Sequence, residues 1–553
     1  MQSRFIRPKN RILPSHMAMT TVTDAQEIGD ASMLSTLRIE QATPTVLLFV
    51  AIAIISRLFY TSIVKPRRSN LRHIPCPDQG FFLFRLFHEP TARELEQWLD
   101  ELPHKGLIRY YGLWNQERIF IASAEAAKDL LITEAYKFEK PELQRLLAGN
   151  VAAEGLLLQE GATHKAARKA FQPAFHADHI RRAYPTMWET AYDLVNAITL
   201  QSHAQHHKAG SETRSSEGVG ILKPISAATI DIIGRWAFSK DFNAVQDPSA
   251  KFGRTYIQIL KTTKHGQRML HRAAIIGPKI ALQLPLRAVK TIKRGVSLVV
   301  NTADEIVQEH EKCQDTKSND MLSMVMKTGH FSHSDLVVQT VHFLAAGTET
   351  IAGSVAWAIH LLSRHPEMQT RLRDEIRQQL PSPCSVNGHS DIRESDFAGM
   401  KYLDAVIKEA LRFHSINTLL WRECVSPARI LDTDIPVGTK VVFSPWTMGR
   451  DPKHWGPDAR TFNPDRWLGE TSACDNVHAF LTFGAGPRRC IGEQLARAEM
   501  RCLLAGLVGR FEFSPLAPED ESDDGLEIGD QAALTLFKIF EHWKIHAREV
   551  EGW

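Results

Sequence analysis

The ten residues Phe483-Gly-Ala-Gly-Pro-Arg-Arg-Cys490-Ile-Gly492 constrain the fold more than any other stretch of the chain. Gly484, Gly486 and Gly492 bracket one cysteine with residues that can take positive φ or let backbone close on a large planar ligand, and Pro487 stiffens the turn. A helix is predicted to follow at once, because Glu493-Gln-Leu-Ala-Arg-Ala-Glu-Met-Arg-Cys-Leu-Leu places apolar residues at helical spacing. Its free N–H groups and positive dipole end then lie beside Cys490 and favour the thiolate. A lone cysteine is otherwise a small buried hydrophobe. Here its surroundings poise it as a metal ligand.

The spacing Phe, two residues, Gly, one, Arg, one, Cys, one, Gly is fully met, and through it the chain resembles the cytochrome P-450 family. The resemblance implies a mainly α fold with a small β region. It implies a haem b whose iron takes the Cys490 thiolate as axial ligand, a bond whose electron donation favours O–O cleavage. Phe483, Gly486, Arg488 and Gly492 then belong to the haem-binding loop, with Arg488 pairing a propionate through a charge-assisted hydrogen bond.

Companion motifs extend the resemblance. Asp335 to Arg364 is long, largely apolar and free of proline, which describes a helix buried through the middle of the protein. Within it lies Ala345-Ala346-Gly347-Thr348-Glu349-Thr350, where a glycine beside hydroxyls is expected to loosen the helical ladder and open a groove. Glu349 and Thr350 match the acid-alcohol pair by which the family relays protons to oxygen. Glu409-Ala-Leu-Arg412 sits on a helix predicted from Tyr402 to Phe413, and Pro464-Asp465-Arg466-Trp467 resembles the family segment whose arginine joins that pair. Glu409, Arg412 and Arg466 are thus expected to form a buried structural network on the proximal side. Glu160-Gly-Ala-Thr-His164-Lys-Ala-Ala-Arg168 puts His164 and Arg168 one helical turn apart. In the family a Trp and an Arg at this spacing contact a propionate; His164 stands where Trp is usual. Arg422 matches a propionate-binding arginine of some members, although Ser415 replaces a common proline just before it. Trp421, the leucines beside it and part of the loop from Leu143 to Leu158 are expected to line an apolar pocket.

The remaining organisation is read from pattern and charge. Residues 1–44 form a polar extension with Arg4, Arg7, Lys9 and Arg11 early in it. Residues 45–64, TVLLFVAIAIISRLFYTSIV, are long enough to cross the hydrocarbon core, with Arg57 near one end and Tyr60 suited to the interface. Lys65, Arg67, Arg68 and Arg72 follow the span while only Arg38 lies close before it, so the positive-inside rule puts the bulk of the chain in the cytosol. Pro66, Pro75 and Pro77 make 65–80 a stiff, non-helical hinge, and 81–553 the haem domain. Leu107 to Gly112 and Arg118 to Ala122 read as a hairpin, and Ala124 to Thr133 as a helix. Residues 201–220 read as a flexible polar loop whose His203, His206 and His207 lack metal-site partners, and Glu519 to Asp524 as a solvated turn before last strands at Leu534 to Phe540. Seven scattered cysteines fit reduced thiols, and a net charge of +3 gives no reason to propose a nucleic-acid partner.

Together these expectations describe a monooxygenase anchored by one span in the endoplasmic reticulum membrane. The resemblance implies dioxygen as co-substrate, electrons from an NADPH-dependent reductase, and a lipophilic small molecule oxidised in an apolar cavity. Arg489, Arg497, Lys165 and Lys169 could present a basic face to that reductase or simply be solvated. Glu160-Gly with His164, Arg168 and Pro173-Ala-Phe175 looks most like fungal members that oxidise terpenoid or polyketide intermediates. A fatty-acid hydroxylase and a non-oxidative haem-binding protein are the alternatives.

Overall fold

A computed structural model of the chain describes residues 48–142, 144–145, 154–209, 218–260, 287–312, 319–382, 392–469, 477–516 and 543–553, apart from 50, 54 and 58. It divides into two units, one ending at Arg68 and one running from Ser69 to Trp553.

In the first unit, the described residues between 48 and 59 are helical, and the chain then winds wider through Tyr60–Val64 and tightens again at Lys65–Arg67. Leu48, Phe49, Ile55 and Phe59 expose most of their apolar surface. No described helix is long and apolar enough to cross a membrane. Residues 1–47, which include the whole polar extension and the start of the expected span, lie outside the described residues. The hinge was expected to be non-helical throughout, but Pro66 sits in the first turn of the Lys65–Arg67 helix. Proline is tolerated there because the first-turn N–H groups have no intrahelical partner to lose.

The second unit is mainly helical with small sheets. Its described helices of ten or more residues are α1 (Ala92–Glu101), α2 (Gly161–Phe171), α3 (Tyr184–Ala209), α4 (Leu222–Phe238), α5 (Lys251–Leu260), α6 (Arg287–Lys312), α7 (His333–Arg364), α8 (Pro366–Gln379), α9 (Lys401–Phe413) and α10 (Glu493–Arg510). The strands are β1 (Leu107–Gly112), β2 (Gln116–Ile121), β3 (Phe138–Glu139), β4 (Leu420–Cys424), β5 (Ala428–Ile430), β6 (Thr433–Ile435), β7 (Lys440–Phe443), β8 (Phe511–Ser514) and β9 (His546–Glu549). One sheet has the order β1-β2-β7-β4-β3, and β5-β6 and β8-β9 form two-stranded ribbons. β1 and β2 pair antiparallel from Leu107 with Ile121 to Gly112 with Gln116. Their turn is tighter than expected because Trp114 and Asn115 take positive φ, which brings Gln116 and Glu117 into the second strand.

α7 is the axis of the core and packs on α4, α6, α9 and α10. Ser332 and Asp335 cap its start reciprocally, and it stops before Pro366, whose ring disfavours helix in the preceding residue. The expected loosening at Gly347 is not observed; the helix is continuous. The hydroxyls of Thr348, Thr350 and Ser354 donate back to the carbonyls of Leu344, Ala346 and Thr350, each at 2.7 Å, so they lie along the ladder instead of prising it apart. Gly347 serves close packing instead, since a Cβ there would stand 2.8 Å from Ile233 on α4. α9 begins where Glu375 of α8 accepts from the N–H groups of Tyr402 and Leu403 at 2.9 and 2.8 Å.

One loop expectation changes. Residues 201–209 continue α3, with His203 paired to Glu549 at 2.8 Å, because a polar stretch can extend a long helix once its first turns are anchored in the core. Residues 210–217 lie outside the described residues, as do the acidic run at 519–524 and the strand expected at 534–540.

Candidate active site

The cysteine loop is built by local hydrogen bonds before any ligand is considered. The N–H of Cys490 donates to Phe483 O at 2.8 Å, Gly484 N–H to Leu481 O at 2.8 Å, and Arg489 N–H to Gly486 O at 3.0 Å. Gly484 and Gly486 both take positive φ. At Gly486 glycine is also required by space: a Cβ would stand 2.0 Å from Leu131 O in the turn Asp129–Thr133. Gly492 does not take positive φ. It lies at φ −88° as the N-cap of α10, and its carbonyl accepts from Ala496 at 2.8 Å. Thr482 Oγ1 donates to Leu411 O at 2.7 Å and ties the loop to α9.

Cys490 keeps exposed surface, yet protein crowds it enough that burial pushes its thiol up. The N–H of Gly492 and the cations Arg168 and Arg489 pull the other way. The helix terminus therefore offsets the cost of a thiolate without overcoming it in the protein alone. A bound metal cation would complete the balance, since a coordinating thiol is deprotonated outright.

Beside the loop lies a cluster of cations around one carboxylate. Lys140 donates to Glu160 Oε1 from both its backbone N–H and Nζ, each at 3.0 Å, and Arg488 Nη2 stands 2.5 Å from Glu160 Oε2. Burial would raise the Glu160 carboxyl, but Lys140 and Arg488 hold it below the usual range. Arg422 is buried, bonded to Trp421 O at 2.7 Å, and held down at about 10 by burial and by Arg488. Lys140 falls to about 8 through burial and the proximity of Arg422. His164 falls to about 4 through burial, Lys140, Arg488 and Arg168, so it is a neutral imidazole at pH 7. Arg168 Nη1 donates to Arg489 O at 2.7 Å and links the cluster to the cysteine loop. The structure thus brings together His164, Arg168, Arg422 and Arg488, as anticipated, and adds Lys140 and Glu160, which sequence reasoning gave no role. Nothing in the sequence marks Lys140, because its partners lie 20 to 348 residues away.

The second group, Glu349 and Thr350, sits at mid-length on α7. Glu349 is buried, and burial alone pushes its carboxyl up to about 8. Ala345 and Ala346 are exposed in the middle of a helix otherwise buried over most of its length. α7 packs directly on α10, which begins just after Cys490, but no described hydrogen bond joins Glu349 or Thr350 to Cys490. Of the loop expected to line an apolar pocket, 143 and 146–153 lie outside the described residues. Its end docks on α7, with Leu156 N–H donating to Gln339 at 2.8 Å and Gly155 N–H to His342 at 3.2 Å.

The structural network is present and larger than expected. Arg412 grips Glu409 through two bonds of 2.8 and 2.7 Å, with both side chains 0% exposed. Its remaining N–H donors reach the carbonyls of Gly449, Ala459 and Thr461. Arg466 donates to Glu409 at 3.0 Å and to Asp458 at 2.8 Å, and Trp467 Nε1 donates to Glu409 Oε2 at 2.8 Å. A surface groove along α8, lined by Glu367, Thr370, Arg371 and Asp374, shares no residue with this site.

The fit of a cofactor rests on charge and on orphaned atoms. Lys140, Arg422 and Arg488 face the carboxylate of Glu160 and Arg168 lies beside His164, while His164 Nδ1 and Arg488 Nε are buried without hydrogen-bond partners among the described residues. Buried cations demand compensating charge. A planar group carrying two carboxylates at its rim and a metal that accepts sulfur satisfies both the cluster and Cys490; haem b is such a group. The fold and site define a haem-thiolate oxidoreductase. A family profile described as Cytochrome P-450 matches residues 74–531, and the chain belongs to the cytochrome P-450 family. It is 32% identical to cytochrome P-450 monooxygenase sphH of Aspergillus fumigatus, over 88% of this chain and 92% of that protein. It is 32% identical to cytochrome P-450 monooxygenase FUM15 of Gibberella moniliformis, over 85% and 87%. Cytochrome P-450 monooxygenase FSL4 of Gibberella zeae is 29% identical over 97% and 99%. The family binds haem through a cysteine thiolate, uses dioxygen with a redox partner, and takes lipophilic substrates.

Proposed function

We propose that this chain is a membrane-anchored monooxygenase that oxidises a terpenoid or polyketide intermediate, with electrons drawn from an NADPH-dependent reductase at the endoplasmic reticulum. The observation that carries the reading is the juxtaposition of Cys490 with the cation cluster through Arg168. Cys490 supplies the sulfur lone pair, and Phe483, Gly486 and Gly492 hold that sulfur in place. Arg168, Arg422 and Arg488 would pair the propionates, and neutral His164 would donate one N–H to them. When bound, the haem supplies dioxygen activation and the insertion of one oxygen atom into a C–H bond. The rest falls to the protein. Glu349 holds a proton near neutral pH and passes it toward the Thr350 hydroxyl, as a general acid tuned to its working range.

The exposed apolar residues between Leu48 and Phe59, followed by Lys65, Arg67 and Arg68, support the anchor and its orientation. Relatives named as monooxygenases from several fungi support the substrate class only as a direction of search. The test is product formation by membranes containing the chain and a reductase, with NADPH and a panel of lipophilic polyketides, terpenoids and fatty acids. Turnover of a polyketide or terpenoid supports the reading; oxidation of fatty acids alone contradicts its substrate class. Thr350→Ala should keep haem but divert NADPH electrons to peroxide, and undiminished coupling of NADPH to product would count against the proton relay.

A further inference from the structure

Between α6 and α7 a short helix, Met321–Met326, buries Met321, Leu322 and Val325 and packs on α4, α6, α7 and the turn Gln172–Phe175. That turn carries Phe175, whose ring lies 3.7 Å from where a Cβ on Gly492 of the cysteine loop would stand. Two histidines fasten the ends of this segment. His310, in the last turn of α6, has Nδ1 2.8 Å from Ile306 O and Nε2 3.0 Å from Asp320 Oδ2. Asp320 is the N-cap of the short helix, accepting from Ser323 N–H at 2.7 Å and from Ser239 Oγ at 2.6 Å. His333, the first residue of α7, has Nε2 2.8 Å from Asp304 Oδ1 and Nδ1 3.0 Å from Glu311 Oε2, both on α6.

Each ring is thus faced by two oxygen acceptors. A neutral imidazole carries one N–H and one lone pair, so it satisfies only one of the two, whereas the imidazolium donates to both. Both rings hold their protons more tightly than a free histidine. Burial alone would lower His310, but Asp320 and the Ile306 carbonyl keep it above the ordinary histidine range. The bonds to Asp304 and Glu311 keep His333 above it as well. Other titratable groups beside them are engaged: Glu309 with Lys240 at 3.0 Å, Asp335 with Ser332 and in the field of His330, and His179 between the carbonyls of Ala174 and Asn319. His310 and Asp320 have side chains only 12% and 3% exposed, so they carry more of the effect than His333, whose pairs are screened by solvent.

We propose that His310 and His333 form a pH-sensitive clamp, closed while both are cationic, that ties the segment Asn319–His333 to α6 and loosens as they lose their protons. The sign follows from the direction of the shifts. A group that titrates higher in the folded chain than in the unfolded one stabilises fully below its unfolded value, about 6.5 for histidine, and loses that contribution as pH rises through its folded value. The clamp is therefore closed in acid and open in base.

The test is deuterium exchange of the haem-loaded protein, read at two kinds of site by mass spectrometry. Exchange at the imidazole C2–H gives the titration midpoint of each histidine in the intact chain, and those of His310 and His333 should lie above about 6.5. Asp304→Asn, at the surface, should lower the His333 midpoint and leave that of His310 in place. Exchange of the backbone amides of Met321–Met326, corrected for intrinsic rate, should lose about tenfold or more of its protection from about pH 6 to about pH 9, the worth of one hydrogen bond to a charged group. In the double variant His310→Gln, His333→Gln that protection should already be low at about pH 6 and stay level. Midpoints at or below about 6.5, or native protection that does not change with pH, overturn the proposal. Should the double variant fail to fold, the midpoints and amide protection of the native protein decide the matter alone.

Discussion

Lys140 and Glu160 meet twice at one oxygen: the backbone N–H and the Nζ of Lys140 both lie 3.0 Å from Glu160 Oε1. The pair leaves the other oxygen to Arg488, and Arg422 and Arg168 form no carboxylate ion pair among the described residues. Lys140→Met removes one of the cations that a doubly carboxylated cofactor is proposed to satisfy. Haem transfer to an excess of apomyoglobin should accelerate about tenfold or more, the value of one charge-assisted hydrogen bond. An unchanged transfer rate would remove Lys140 from the cradle.

Gly486→Ala tests the cysteine loop by geometry alone. The new Cβ would meet the carbonyl of Leu131 and impose a side chain on a positive φ. A non-glycine residue held there costs about 1 to 3 kcal/mol before the clash is counted. Expression with normal thermal stability and full haem content would show that the turn Asp129–Thr133 can move aside.

Arg412→Met leaves Glu409 buried with Arg466 as its remaining cation and strands three backbone carbonyls. Breaking a buried pair in this way costs about 3 to 5 kcal/mol. The expected result is a protein that unfolds at lower temperature and incorporates little haem, while the fraction that does load keeps its coupling. Loss of coupling at full haem content would place Arg412 nearer the chemistry than its contacts do.

The sequence made the local features readable. The cysteine loop is contiguous, so its spacing survives without knowledge of the fold, and α7, α9 and α10 announce themselves by apolar periodicity. Glu409, Arg412 and Arg466 were legible because two of them are one helical turn apart and the third follows a proline-marked turn. What distance in sequence hides is different in kind. Lys140, Glu160 and Arg422 are brought together by strands and loops from three parts of the chain. Residues 201–209 misled for another reason: polar composition resembles a loop, yet an anchored helix tolerates it.

Glu349 should leave a pH signature on stability. Its carboxyl titrates at about 8 in the folded protein and in the ordinary carboxylate range when unfolded. Between those values the native state binds the extra proton, so this group makes the protein less stable as pH rises, by at most ~1.4 kcal/mol per pH unit, and no further above about pH 8. Glu349→Gln should therefore gain stability relative to the native chain from pH 5 to pH 8 in parallel denaturant titrations. A difference that stays constant over that range would mean the carboxyl is already ionised when buried.

The central claim is that Cys490 is the axial thiolate, and the visible spectrum of the reduced, carbon-monoxide-bound protein in membranes tests it most directly. The account predicts a strongly red-shifted Soret band that disappears in Cys490→Ala. A histidine-like band in the native protein, or a red-shifted band that survives Cys490→Ala, would contradict it.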